Sequence, residues 1–430
     1  MNPEFLRYWP LDPAVTYLNH GSLGACPWPV LNAQSEWRAR MEAEPVRFID
    51  TELEVHLDRA RATLGEFLNA NPDDLVFVPN ATTGVNTVLR SLDFAAGDEI
   101  LTTDHEYNAC LNTARFVAAK AGAKTVVARV PLPIHAPAEV VDAILARASA
   151  RTKLALVSHV TSPTGLVFPI AEIVRRLNEM GIDTLVDGAH SPGMVPLDLD
   201  SLDAAYYTGN AHKWLCTPKG SAFLHVRRDR QDLIHPLVIS HGTNSPRRDR
   251  SLYRLEFDWG GTGDPTPYLS IPAALEFMSG LLPGGWSELE EKNRALALEG
   301  RRRLLHALGT DQPLAPDEMI GSIAAVELPA HAAPIAPEPA AGAEADETYP
   351  LDPLHDALLR DHAIEVPVFP WPHTPAEKGT PAPGHRLLRI SAQIYNSMED
   401  YDQLAAALAS MICPRRWRTV PSLTDDSSPT

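Results

Sequence analysis

Neither a G-x-G-x-x-G fingerprint nor a Walker sequence occurs in the 430 residues, so the usual glycine turns of dinucleotide and P-loop phosphate sites are missing. Cysteine is scarce. The four, Cys26, Cys110, Cys216 and Cys413, show no CxxC or metal-ligand spacing; neither a disulfide framework nor a zinc site is expected, and the thiols read as buried ones. No basic block is present: 37 Lys and Arg face 55 Asp and Glu, for a formal charge of −18, which argues against nucleic acid as a partner. No apolar run approaches a membrane span, and the start, Met1-Asn2-Pro3-Glu4-Phe5-Leu6-Arg7, lacks the basic-then-apolar order of a secretion signal. The expectation is a soluble cytoplasmic protein with no membrane partner.

What is present suffices for a large core, with 44% hydrophobic residues and a length that suggests two domains. Apolar residues at helical spacing run from Glu52 to Leu68. Short apolar runs then recur at Leu75–Val78, Glu99–Leu101, Lys124–Ala128, Leu154–Ser158, Thr184–Val186, Ala204–Tyr207 and Ala222–Val226. Between them, helices are predicted to start at Ala81, Asn108, Ala138 and Ile170. This βα alternation predicts an α/β fold with a mostly parallel, seven-stranded sheet between helices. After Pro272 the pattern changes to helices over Ala273–Leu281 and Trp286–Leu308. The expected division is an N-terminal segment 1–30 packed near the site, a large domain 31–272 and a smaller C-terminal α+β domain 273–423. That last unit carries a proline- and alanine-rich insert, 331–347, read as a mobile loop, and residues 424–430 are read as a frayed tail.

Two residues organise the chemistry. Apolar residues lead into Asp187-Gly188-Ala189-His190, and the next strand leads to Thr208-Gly209-Asn210-Ala211-His212-Lys213-Trp214, so an acid and an amine arrive at the carboxyl edge of a parallel sheet, where ligands bind. The pair reads either as a helix-capping Asp with a solvated Lys, or as a pyridoxal phosphate (PLP) site. In the second reading, Lys213 forms a Schiff base with the aldehyde and Asp187 keeps the pyridine nitrogen protonated.

Other strand ends carry polar clusters. Asn80-Ala81-Thr82-Thr83-Gly84 opens a helix whose free N–H groups and Thr82 and Thr83 hydroxyls suit a phosphate, and equally suit an ordinary capped helix. In Asp104-His105-Glu106-Tyr107-Asn108, Tyr107 is placed to stack on a planar ring. Ser158-His159-Val160-Thr161-Ser162 supplies small hydroxyls. His190 lies within reach of a ring oxygen, while Asn210 and His212 flank Lys213 and suit either a phosphate or a structural role. Thr16–Gly24 reads as a turn after an edge strand or as backbone brought close to a ligand. Thr262 sits in the glycine-rich turn Trp259–Pro265. Arg389, among apolar neighbours in His385–Ala392, needs an anion: a substrate carboxylate or a buried ion-pair partner.

In order, the runs Thr16–Gly24, Asn80–Asn86, Asp104–Asn108, Ser158–Gly165, Asp187–His190, Asn210–Trp214, Gly261-Thr262 and Arg389-Ile390-Ser391 resemble PLP-dependent enzymes of fold type I, in the class V aminotransferase group. Tyr17–Gly24 and Thr208–Leu215 are most similar to its isopenicillin N epimerase branch. The resemblance implies Lys213 as the Schiff-base lysine, Asp187 on the ring nitrogen, His190 on the ring oxygen, Tyr107 stacked on the ring and Thr82 and Thr83 on the phosphate. It also implies a homodimer in which Thr262 reaches the partner's phosphate, with Arg389 as the substrate carboxylate anchor. The substrate pocket is expected from Asn19, His20, Ser22, Tyr107 and the loop around Trp371 and His373. Phe369 to His385 contains no cysteine, which departs from the cysteine desulfurases of the group. The implied activity is amino-acid epimerisation. A β-eliminating C–S lyase like the hercynylcysteine sulfoxide lyases, transamination, and a non-catalytic PLP-binding protein stand as alternatives.

Overall fold

A computed structural model describes residues 1–329, 352–372 and 385–412. The insert 331–347, the tail 424–430, His373 and Cys413 lie outside the described residues. Seven strands form the main sheet: β1 Leu75–Val78, β2 Glu99–Thr103, β3 Lys124–Ala128, β4 Thr152–Ser158, β5 Asp183–Asp187, β6 Tyr206–Asn210 and β7 Ala222–Val226. Their order is β1-β7-β6-β5-β4-β2-β3, and β7 runs antiparallel to its two neighbours while the others are parallel.

Successive residues of a strand point to opposite faces, so a sheet covered on both faces needs continuous apolar runs. In β4, Leu154 and Leu156 enter one core cluster while Ala155 and Val157 enter the other. Likewise, Leu185 and Val186 of β5 divide between the two. Helix α1, Leu53–Leu68, packs on one side with α4, Pro137–Leu145, and α5, Ile170–Glu179; α2, Ala81–Ser91, and α3, Asn108–Ala121, cover the other. The contact between α2 and the sheet is close: a Cβ on Gly84 would lie 2.2 Å from Thr208 Oγ1. That approach sets the start of α2 against the end of β6.

Strand β6 runs further than its apolar residues predict. Thr208, Gly209 and Asn210 pair with Leu224, Phe223 and Ala222 of β7, so the ladder carries polar residues to within three positions of Lys213. Helix α4 starts at Pro137, where a proline without an N–H costs nothing. Sequence periodicity does not anticipate the long helix Trp28–Ala43, which buries only Val30 and Gln34.

A second sheet comprises β8 Ile323–Leu328, β9 Val368–Trp371 and β10 His385–Ser391 in the antiparallel order β9-β10-β8. Helices α6, Gly285–Ala307, and α7, Met398–Ile412, pack together beside it. The N-terminal arm joins the two parts. Thr16 and Tyr17 pair in parallel with Ile364 and Glu365, and the Ser391 N–H donates to the Leu18 carbonyl. Among the described residues, no helix is long and apolar enough to cross a membrane.

Candidate active site

The carboxyl ends of β1, β4, β5 and β6 open onto one crevice, lined by Thr82, Tyr107, Asp187 and His190 together with Asn210, His212 and Lys213. Asp187 ends β5 and is 3% exposed. Its Oδ1 accepts from the Ala189 N–H at 2.9 Å, and its Oδ2 accepts from the Cys110 thiol at 3.2 Å. Burial pushes this carboxyl above the usual range; those two donors and the Lys213 charge oppose the shift. A second buried acid, Glu106, lies beside it. Glu106 Oε1 accepts from the Ser158 hydroxyl at 2.8 Å and the Tyr107 N–H at 2.9 Å, and burial, then Asp187, raises its pKa to about 8. The sequence contains Glu106 and Cys110 but no signal that they reach Asp187; the contact requires the first turn of α3 to sit over the end of β5.

Lys213 is the buried amine of the crevice. Its Nζ lies 3.1 Å from His190 Nε2, and burial, then the Arg389 charge, lowers its pKa to about 7. Burial followed by the Lys213 charge holds His190 well below its usual range, so its ring is neutral near pH 7. A lysine with a reference pKa of ~10.4 is almost wholly protonated at pH 7, whereas one near 7 is about half amine. In the apoprotein, pulse acetylation of Lys213 should therefore rise through a midpoint near pH 7. Mass spectrometry of the peptide checks this, and a midpoint above ~9.5, like that of an exposed lysine, would show that burial does not control the amine.

Helix α2 points its N-terminus at the same crevice through Asn80, Ala81 and Thr82. Asn80 Oδ1 accepts from the Thr83 N–H at 2.8 Å, and Asn210 Oδ1 accepts from the Ala81 N–H at 2.8 Å. The Asn210 amide therefore keeps its N–H₂ to donate. Thr83 departs from expectation. Its hydroxyl donates to Asn80 Oδ1 at 3.0 Å, and the residue lines a separate cavity with Phe77 and Trp259, because adjacent residues on a helix point about 100° apart. His212 donates from Nδ1 to the Ser221 carbonyl at 2.8 Å, and burial lowers its pKa to about 4; the neutral ring then offers Nε2 as an acceptor, and it donates to a phosphate only when protonated. Thr262 is exposed and lines neither cavity.

Two expected substrate contacts lie elsewhere. His20 is fully buried, bonded through Nδ1 to Tyr395 at 2.8 Å and through Nε2 to the Lys213 carbonyl at 3.1 Å; it fixes the Lys213 backbone and does not face the crevice. Gly24 serves the same approach: its φ is +69°, and a Cβ there would lie 2.2 Å from the His212 carbonyl. Asn19 is bonded to Glu365 and Ser22. Ser22 and Ser162 form the crevice wall, and Arg389 sits behind them, donating to the Ser162 carbonyl and, at 2.7 Å, to Ser22 Oγ. Arg389 is 1% exposed and has no carboxylate partner among the described residues, and its Nε has no acceptor there. A buried guanidinium without an anion is the arrangement a carboxylate ligand would complete.

The donor set fits PLP. A carboxyl group stands at the strand end for a protonated ring nitrogen, a helix N-terminus with Thr82 and Asn210 suits a phosphate, and an amine of lowered pKa lines the same crevice. His190 adds a buried Nδ1 that has no partner among the described residues.

The chain is similar to known proteins over most of its length. An isopenicillin N epimerase of Amycolatopsis lactamdurans is 35% identical over 415 residues, covering 93% of this chain and 96% of its own. A putative L-cysteine desulfhydrase of Oryza sativa subsp. japonica is 31% identical, covering 93% of this chain and 84% of its own. Among solved structures, a C-DES mutant with glycine covalently linked to its PLP cofactor superposes with a TM-score of 0.74 at 22% identity, covering 94% of this chain and 99% of that one. Residues 17–324 match the family model described as Aminotransferase class-V, and the chain belongs to that family.

Proposed function

We propose that the protein is a PLP-dependent amino-acid epimerase acting at the α-carbon. The observation that carries this reading is the buried Lys213 amine, set in one crevice with Asp187 and backed by an Arg389 that has no anion among the described residues. Asp187, His190, Thr82, Asn210 and Tyr107 would hold the cofactor, which supplies an electron sink for the α-carbanion when bound. Lys213 takes the α-proton, and its lowered pKa suits a base working near neutral pH. Arg389 binds the α-carboxylate and so fixes which bond at the α-carbon faces Lys213. Epimerisation also requires a proton donor on the other face of the substrate; Tyr107, 44% exposed at the crevice, or a water beside it, takes that role.

The 35% identity to an isopenicillin N epimerase over 93% of the chain supports epimerisation. The L-cysteine desulfhydrase relative supports β-elimination as the second reading, since that reaction shares the first proton transfer and differs in needing a leaving group on Cβ. Proton NMR in D₂O with a panel of L-amino acids, followed by chiral analysis, separates them. Deuterium at the α-position with growth of the D-enantiomer is expected; ammonia and pyruvate formed from cysteine would replace the epimerase with the lyase, and no exchange with any amino acid would remove both.

The reading includes a homodimer. An apolar surface over Leu237, Val238 and Ile239 is exposed beside the cavity lined by Leu53, Leu57, Phe77 and Trp259, and Thr262 lies on the loop bordering it. A monomer in analytical ultracentrifugation would overturn this part. The division into large and small domains near residue 272 belongs to the same proposal. Cytoplasmic location is supported by the free, buried Cys26, Cys110 and Cys216.

A further inference from the structure

From the buried Arg389, four side chains continue in a hydrogen-bonded line that begins with Ser22 of the crevice wall. Arg389 donates to Ser22 Oγ at 2.7 Å, the Ser22 hydroxyl donates to Asn19 Oδ1, Asn19 Nδ2 donates to Glu365 Oε1 at 2.7 Å, and His355 Nε2 lies 3.3 Å from Glu365 Oε2.

The chemistry of the groups permits one direction only. Arginine is solely a donor, so Ser22 must accept from it and spend its single O–H on Asn19. This turns the Asn19 carbonyl toward Ser22 and its N–H₂ toward Glu365, which as a carboxylate is solely an acceptor. Glu365 then takes a second donor from His355. The His355 bond and the Asn19 bond lower the Glu365 pKa, and the Glu365 bond raises that of His355, both consistent with an anion at the end of the line.

Backbone pairing holds the line in register. Tyr17 pairs with Glu365, and the Leu18 N–H donates to the Glu365 carbonyl at 3.0 Å. On the other side, the Gly21 N–H donates to Ser391 Oγ at 2.9 Å, two residues along β10 from Arg389. Asn19 and Ser22 are thus suspended between the strand of Glu365 and the strand of Arg389.

We propose that Asn19, Glu365 and His355 are positioning residues that act through Ser22 to fix the Arg389 guanidinium for an α-carboxylate. Glu365 is separated from Arg389 by two uncharged side chains, so it orders the guanidinium without neutralising it. A carboxylate in direct contact would occupy the donors that the ligand needs. The inference rests on the reading of Arg389 as the carboxylate anchor.

The test uses holoenzyme and two probes that differ only in the carboxylate, L-norvaline and butylamine, each titrated against the visible absorbance of the cofactor. Wild type is expected to prefer norvaline, and Arg389→Lys to lose that preference. Glu365→Gln, which removes the charge and leaves one acceptor oxygen where the carboxylate offered two, should reduce it by about tenfold, on the scale of one hydrogen bond. Asn19→Ala should act in the same direction, with butylamine binding unchanged in both variants. A crystal structure of Glu365→Gln should show the Arg389 contact with Ser22 lost.

If norvaline is not preferred by wild type, or its preference survives Arg389→Lys, the anchor reading fails and the relay with it. If Arg389→Lys abolishes the preference while Glu365→Gln and Asn19→Ala keep it, the relay alone is wrong. Equal weakening of both probes in Glu365→Gln would also overturn it, since that marks a general structural defect.

Discussion

Replacing Lys213 by alanine should lower turnover at the α-carbon by about 10⁴-fold, because both the amine and the general base are lost together. No neighbour can take over. His190 is the group nearest the Lys213 Nζ among its hydrogen-bond partners, 3.1 Å away, but it already lies well below its usual pKa and carries no amine. The loss should come without loss of stability. A lysine that titrates near 7 when folded and near ~10.4 when unfolded binds more protons in the unfolded chain, so between these values stability rises with pH. Removing the amine removes that penalty, and the alanine variant of the apoprotein should be at least as stable as wild type at pH 7. Turnover is measured with the substrate found by the D₂O screen, and stability by urea titration. Added methylamine should restore part of the activity. Turnover within tenfold of wild type would mean that Lys213 is not the reacting residue, and borohydride reduction followed by peptide mapping would then locate the residue that is.

The parts of this site that were legible in the sequence are those that end a strand. Leu185 and Val186 are apolar on both faces because the sheet is covered on both faces, and the run therefore announces where Asp187 must emerge. Lys213 follows from β6 by the same logic. The supporting groups were not legible, because their partners are remote in sequence: Cys110 and Asp187 are 77 positions apart, and Asn19 and Glu365 are 346 apart. The motif Thr16–Gly24 stands out in the sequence, yet Asn19 and His20 turn away from the crevice, since the register of Thr16 with Ile364 determines which way the arm turns. Thr82 and Thr83 are indistinguishable as capping residues in the sequence, and only the pitch of α2 separates the one in the crevice from the one outside it. The helix Trp28–Ala43 buries too few residues to imprint a period.

Asp187→Asn should reduce turnover by about 10²–10³-fold while leaving the fold intact, the effect expected when an anion paired with a developing cation is replaced by a neutral group of the same shape. Asparagine keeps one carbonyl oxygen, which the Ala189 N–H can still reach from 2.9 Å. Its other terminal atom becomes an N–H₂ facing the Cys110 sulfur and the crevice, so a donor stands where a protonated ring nitrogen needs an acceptor. Stability should move in the opposite direction. Because burial raises the Asp187 pKa above its unfolded value, ionisation is costlier in the folded apoprotein, and stability from this group falls as pH rises through the titration. Asparagine is free of that cost, so the variant apoprotein should match or exceed wild type in urea above about pH 5. Cys110→Ala gives the graded comparison: it removes a donor that lowers the Asp187 pKa, which weakens the anion without deleting it. Its turnover should fall by no more than about tenfold, the worth of one hydrogen bond. If Asp187→Asn retains turnover within threefold of wild type, the strand-end carboxylate does not hold the cationic ring. If Cys110→Ala loses as much as Asp187→Asn, the thiol has a part of its own that a donor to Asp187 does not explain.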